Sequence, residues 1–279
     1  MSTVEIVEVG PRDGLQNEPQ AITEKQKILL VDALSEVGFR RIEAASFVSP
    51  KWVPQMAGSA KVMAGIKRAA GVRYTGLTPN LRGLADALAA DVDEVAVFAS
   101  ASESFSKKNI NVTIAESLAR YAKVAEAATV PVRGYISCVT DCPYEGPIAP
   151  EAVLRVSKAL FDMGCYEVSL GDTLGKGTPE QVDAMFATML DAAAPERLAG
   201  HFHDTNGRAL GNVGVALARG VRVFDASVAG LGGCPFAPGA AGNVSTGALA
   251  RYLNAAGFDH GLDLAALGRA EDMARGLRL

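Results

Sequence analysis

Two of the three histidines in this chain fall in one short run, His201-Phe202-His203-Asp204. In an extended strand, residues i and i+2 point to the same face. The two imidazoles then lie side by side, within reach of one metal ion, which either ring nitrogen can bind. The bland alternative, a strand with two partly exposed histidines, is about as frequent for a bare H-x-H. Other chemistry-bearing residues narrow the choice, because they recur at the ends of apolar segments. Arg12 and Asp13 follow the first such segment, Glu43 and Ser46 belong to the second, and Ser137-Cys138 close another. Gly171-Asp172-Thr173 end a further one, and Ser227 leads into the loop 230–243. Seven of the fourteen residues of that loop are Gly or Pro, and Cys234 sits in its middle. Such a loop suits unusual backbone angles or a close approach to a ligand.

Two imidazoles, the Asp13 carboxylate and the Asn243 amide oxygen make a borderline-hard donor set. It suits Mg²⁺, Mn²⁺ or Zn²⁺, and donor type alone does not choose among them. Arg12 reads as a charge clamp, since a guanidinium is always protonated. An ion pair with Glu43 or Asp172 is compatible with that role. A thiol at Cys234 beside a metal can serve as nucleophile, acid or base. Its plain alternative is a small buried side chain in a tight turn.

The elements that would position these groups alternate along the chain. Strands are expected at 5–9, 40–45, 72–77, 94–100, 131–139, 166–170, 198–203 and 223–228. The clearest helices are expected at 23–37, 111–127, 150–163, 178–193 and 208–218. Thr178-Pro179-Glu180-Gln181 offers an N-cap, a proline at the first helical position and an acidic first turn. Gly38 and Gly164 stand where glycines follow helix ends. Eight strands too apolar to face water, each followed by a helix, predict an α/β fold with a parallel sheet, closed as a (β/α)8 TIM barrel. A doubly wound open sheet is the second choice. It would carry G-x-G-x-x-G after its first strand, and Gly10-Pro11-Arg12-Asp13-Gly14 does not fit. In a barrel the groups named above converge on the C-terminal rim, where several carboxylates, two histidines, an arginine and a cysteine are hard to read as structural.

The chain has 279 residues, 49% of them apolar, and no linker that would split it, so residues 1–279 read as one catalytic domain. A net charge of −4 without a Lys/Arg block argues against a nucleic-acid partner. No apolar run approaches the roughly 20 residues needed to span a bilayer, and no targeting segment precedes the first strand, so a cytoplasmic protein is expected. The four cysteines show no paired spacing and read as free thiols.

Several segments together resemble a known family. Val9-Gly10-Pro11-Arg12-Asp13-Gly14-Leu15-Gln16-Asn17-Glu18 is similar to the opening motif of the 3-hydroxy-3-methylglutaryl-CoA lyases. Ser227-Val228-Ala229-Gly230-Leu231-Gly232-Gly233-Cys234-Pro235, continuing to Gly242-Asn243-Val244, is similar to their signature loop. Ser106–Asn111, Cys142–Gly146 and Leu170–Gly175 match as well. The likeness covers nearly the whole chain, and the first and last motifs together are highly specific. It implies a dimeric (β/α)8 barrel that uses Mg²⁺ or Mn²⁺ to cleave hydroxymethylglutaryl-CoA into acetyl-CoA and acetoacetate, in leucine breakdown and ketone body formation. It implies Asp13, His201, His203 and Asn243 as metal ligands, Arg12 on the thioester carbonyl, and Cys234 as the thiol of proton transfer. Glu43, Asp172 and His201 are further expected catalytic groups, and Ser46, Asn109 and Thr173 join Arg12 in contacting substrate. Lys107 and Lys108 could meet CoA phosphates, or be two solvated lysines. The chain looks short for the family after the helical stretch from Asp263, as if a C-terminal element were missing. Rival readings are a lyase for a longer 3-hydroxy-3-alkylglutaryl-CoA, another aldolase or Claisen-type enzyme on this barrel, and a metal-binding barrel without activity.

Overall fold

The computed structural model describes residues 2–232 and 242–278. Eight parallel strands close on themselves: β1 (Glu5–Glu8), β2 (Arg41–Ser46), β3 (Arg73–Leu77), β4 (Glu94–Ser100), β5 (Val132–Ser137), β6 (Glu167–Asp172), β7 (Leu198–Phe202) and β8 (Val223–Ala226). Each pairs with its neighbours in chain order, and β1 closes the ring against β8, with Glu5 opposite Val223 and Glu8 opposite Ala226. The expected (β/α)8 barrel is therefore the observed one. A two-residue ribbon, Asp141–Cys142 against Gly146–Pro147, follows β5.

The helices are α1 (Glu24–Ser35), α2 (Ser59–Gly65), α3 (Leu81–Ala89), α4 (Glu103–Ile110), α5 (Ile114–Ala127), α6 (Pro150–Asp162), α7 (Pro179–Met189), α8 (Ala209–Ala218), α9 (Thr246–Ala255) and α10 (Leu264–Gly276). Local chemistry sets several of their starts. Thr23, Thr113 and Thr178 each cap a first turn and are paired with Gln26, Glu116 and Gln181 in reciprocal capping boxes. The helix expected at 111–127 starts later, at Ile114, because Asn111 takes a left-handed conformation that ends the preceding α4 and Thr113 then caps α5. The strand expected to run to His203 stops at Phe202, and His203 instead forms an isolated bridge with Asn243.

Side chains alternate across the sheet. Ile6, Ile42, Tyr74, Val97, Ile136, Leu170, Phe202 and Phe224 join the main core with Leu30, Leu34, Leu84, Tyr121, Leu160, Phe186, Val213 and Leu249 of the helices. The barrel interior is different. Small apolar clusters, among them Val7, Val9, Ala199 and Val223, share it with charge. Arg41 binds Glu5 and, through two nitrogens, Glu167. Arg133 binds Glu167, the Tyr135 hydroxyl and Asp225. Each of these interior charges has an opposite partner, the condition under which such burial is tolerated.

Candidate active site

The rim groups are placed by backbone constraints that begin at the end of β1. Residues Gly10–Gly14 make one wide helical turn, in which the N–H groups of Arg12, Asp13 and Gly14 all point at the carbonyl of Val9. The turn packs tightly: a Cβ on Gly14 would stand 2.7 Å from both Ser227 Oγ and Leu231 Cβ. Glu8, wholly buried, ties this turn across the barrel seam to the segment that follows β8. Its Oε1 accepts the N–H groups of Gly10 and Val228, and its Oε2 accepts the Thr246 hydroxyl of α9. Burial pushes the Glu8 carboxyl up to about 7 against the pull of those three donors.

Arg12 is buried and directed across the barrel mouth. Its Nε and Nη2 lie 2.7 and 2.6 Å from Glu43 Oε2, and its Nη1 donates to Asp13 Oδ1 at 2.8 Å. The Tyr135 ring lies 5.8 Å from its guanidinium carbon. Burial disfavours the guanidinium charge, but Glu43 and Asp13 outweigh it and hold the group protonated. Glu43 is driven up to about 7 by burial, with Arg12 opposing. Its second oxygen, Oε1, is buried with no hydrogen-bond partner.

The histidine run meets Asp13 at the rim. One ligand atom from each of Asp13, His201 and His203 lies within 4.8 Å of the others. His201 Nε2 is 3.9 Å from Asp13 Oδ2, and the two imidazole centroids are 5.4 Å apart. Asn243 reaches the same carboxylate, donating from Nδ2 to Asp13 Oδ2 at 2.8 Å. It is carried there by the segment 242–246, which is sewn onto the rim: Asp204 N–H to Gly242, Val244 N–H to Phe202, Ser227 N–H to Val244 and Thr246 N–H to Ser227. Burial alone would raise Asp13, but Arg12, His201 and His203 hold it down to about 2. Burial and the neighbouring His201 press His203 down to about 4, which keeps it neutral at pH 7, and its Nδ1 is buried without a partner. A secured carboxylate, a neutral imidazole with an unspent nitrogen and a second imidazole aimed at the same point fit a divalent cation.

The remaining expected residues are placed differently. Asp172 does not join the cluster. Its oxygens are taken by the Thr140 hydroxyl and by the N–H groups of Lys176 and Gly177, so it clamps the loop after β6. Thr173 accepts the Cys138 N–H beside that loop. Ser46 is buried at the end of β2, where an irregularity between Glu43 and Ala45 shifts the register, and its N–H goes to Ser59. Asn109 is exposed on α4. Lys107 is exposed on the same helix and pairs with Glu103. Cys234 lies outside the described residues. The described cysteines, Cys138, Cys142 and Cys165, are free and buried, as their spacing suggests. Two site residues are absent from the sequence reading: Tyr135, which stacks edge-on with His201 at 6.3 Å between centroids, and Asp225, 3.1 Å from His201 Nδ1. A charged residue in an apolar strand was the available signal for Asp225.

The HMGL-like family model matches residues 3–274. This chain belongs to that family. It is 56% identical over 264 residues to the mitochondrial hydroxymethylglutaryl-CoA lyase of Gallus gallus, covering 94% of this chain and 89% of that one. It is 55% identical over 267 residues to the 3-hydroxy-3-isohexenylglutaryl-CoA/hydroxy-methylglutaryl-CoA lyase of Pseudomonas aeruginosa, covering 95% and 89%. Among solved structures, the HMG-CoA lyase from Brucella melitensis superposes with a TM-score of 0.99 at 57% identity, covering 100% of this chain and 99% of that one. No helix among the described residues is long and apolar enough to cross a membrane.

Proposed function

We propose that this protein is a 3-hydroxy-3-methylglutaryl-CoA lyase, which breaks the bond between the α-carbon and the tertiary carbinol carbon to give acetyl-CoA and acetoacetate. The observation that carries this reading is the convergence of Asp13, His201 and His203 on one point with Arg12 beside them. The lyases at more than half identity over nearly the whole chain support it.

Asp13, His201, His203 and Asn243 would hold Mg²⁺ or Mn²⁺, whose Lewis acidity would ease loss of the hydroxyl proton. Asn243 would offer Oδ1 after a half-turn of its amide, since Nδ2 now faces Asp13. Bond cleavage gathers negative charge on the thioester oxygen. Arg12, fixed by Glu43 and unable to lose its own proton, supplies the positive group that meets it. Glu43 Oε1, unpaired and on a carboxyl poised near neutrality, takes the hydroxyl proton. Protonation of the departing carbon falls to Cys234, which follows β8 in the sequence. Asp172 contributes indirectly, by fixing the loop that carries Thr173. Ser46 and Asn109 complete the substrate contacts, and the family resemblance adds a homodimer.

A second reading differs only in the acyl chain. The Pseudomonas aeruginosa relative is named for an isohexenyl substrate as well as a methyl one, so a longer 3-hydroxy-3-alkylglutaryl-CoA belongs in the same test. Purified protein with Mg²⁺ and hydroxymethylglutaryl-CoA is expected to release acetoacetate and acetyl-CoA. Full activity after exhaustive chelation would overturn the metal assignment, and no product from any 3-hydroxy-3-alkylglutaryl-CoA would overturn the lyase reading. Light scattering of the purified protein tests the dimer.

A further inference from the structure

Behind His201 stands a carboxylate that the reaction itself does not use. Asp225 lies in β8 directly opposite His201 of β7, and it is 2% exposed. Its Oδ2 is 3.1 Å from His201 Nδ1 and accepts the Ser169 hydroxyl of β6 at 2.6 Å. Its Oδ1 accepts Arg133 Nη2 of β5 at 2.8 Å, and Arg133 is itself held by Glu167 and Tyr135. Three neighbouring strands thus fix the position of one carboxylate, and that carboxylate faces one edge of one imidazole.

We propose that Asp225 is a positioning residue that acts through His201, fixing the proton on Nδ1 and leaving the Nε2 lone pair free toward Asp13. A neutral imidazole carries one N–H, and the partner of one nitrogen decides which nitrogen bears it. An ionised carboxylate only accepts, so the nitrogen facing Asp225 must be the donor. Nε2, on the far edge and 3.9 Å from Asp13 Oδ2, is then the acceptor. Burial opposes the charge on Asp225, but Arg133 and the His201 hydrogen bond outweigh it, so the carboxylate stays ionised. Arg133 and Ser169 carry the constraint from the barrel interior to the rim. The inference rests on the metal-site reading above and adds to it a group that no rim motif contains.

The test uses Asp225→Asn, whose amide can donate to Nδ1 and thereby move the proton to Nε2. In metal-free protein labelled with ¹⁵N-histidine, at alkaline pH where the ring is neutral, the wild type is expected to show an Nδ1–H tautomer at His201. The His201→Gln variant assigns the signal. Asp225→Asn is expected to lose that tautomer and to bind Mn²⁺, followed by electron paramagnetic resonance, about 10- to 100-fold more weakly. Thermal melting in chelator establishes that the variant is folded. Ser169→Ala removes one hydrogen bond from the same oxygen and keeps every charge, so it serves if Asp225→Asn does not fold, with a smaller loss of Mn²⁺ affinity expected. Unchanged tautomer with unchanged Mn²⁺ affinity in a folded variant overturns the proposal and leaves the metal site standing. A wild-type protein that shows the Nδ1–H tautomer but binds no Mn²⁺ overturns the metal-site reading instead.

Discussion

Glu8→Gln is the substitution whose effect can be worked most directly from the geometry. The Glu8 carboxyl is buried at the barrel seam, accepts two backbone N–H groups and one hydroxyl, and is raised from 4.5 to about 7 by burial. A carboxyl whose folded value lies above its unfolded value favours the native state while protonated. Its contribution is complete below 4.5 and is lost as the pH rises to about 7. At roughly 1.4 kcal/mol per unit, that span corresponds to about 3 kcal/mol lost by pH 8. Glutamine keeps an oxygen for Gly10 and Val228, and its amide can donate to Thr246 once the hydroxyl turns. The substitution removes the titration and keeps the contacts. The variant is expected to match the wild type at pH 4.5 and to exceed it by up to about 3 kcal/mol at pH 8. Urea unfolding in chelator, followed by circular dichroism at both pH values, measures this difference. A variant equally or less stable than wild type at pH 8 would refute the assignment of Glu8 as a carboxyl held reluctantly in its ionised form.

Glu43→Gln preserves an acceptor for Arg12 and removes the base, so kcat is expected to fall about 10²- to 10⁴-fold while melting stays near wild type. Wild-type turnover in steady-state assays would exclude Glu43 as proton acceptor. Arg12→Lys keeps the charge but loses the two-nitrogen grip on Glu43, and kcat/KM is expected to drop about 10²- to 10³-fold. An unchanged value would show that the fork geometry has no role. His201 is raised above 6.5 because its Asp225 hydrogen bond and the charges of Asp225 and Asp13 outweigh burial. Its proton must leave before a cation binds, so Mn²⁺ affinity is expected to weaken as the pH falls through that range. Calorimetry in two buffers should show proton release, and affinity constant from pH 5 to 8 would contradict the assignment.

Much of the architecture was written in local pattern. Apolar runs with caps and glycines after them marked all eight strands, because a parallel strand buried on both faces has few polar residues to obscure it. The helices at 59–65, 81–89 and 103–110 were less visible, being too short to repeat an apolar stripe over several turns. At the rim, Asp13, His201, His203 and Asn243 were readable as donors, since their types already limit the chemistry. Asp225, Arg133, Arg41 and Glu167 were not. A charge inside an apolar strand gives no sign of whether it meets solvent or a partner from a strand 30 to 130 residues away, and here Arg41–Glu167 and Arg133–Asp225 join strands that are not neighbours. Asp172 was legible by type but not by partner: its position after Gly171 suggested chemistry, and its oxygens accept from Thr140 and from the backbone of its own loop.

The charged interior also bears on how the chain assembles. Glu5, Arg41, Arg133, Glu167 and Asp225 come from five different strands, and the Arg41–Glu167 and Arg133–Asp225 pairs join strands that meet only when the sheet curls into a ring. A strand displaced by one residue would turn its ion outward and strand the opposite charge in a dry cavity. Misaligned or half-closed forms are thereby penalised far more heavily than an aliphatic filling would penalise them. The fold thus gains a checkpoint at ring closure, and the imidazole that faces Asp225 becomes correctly oriented only in chains that have passed it.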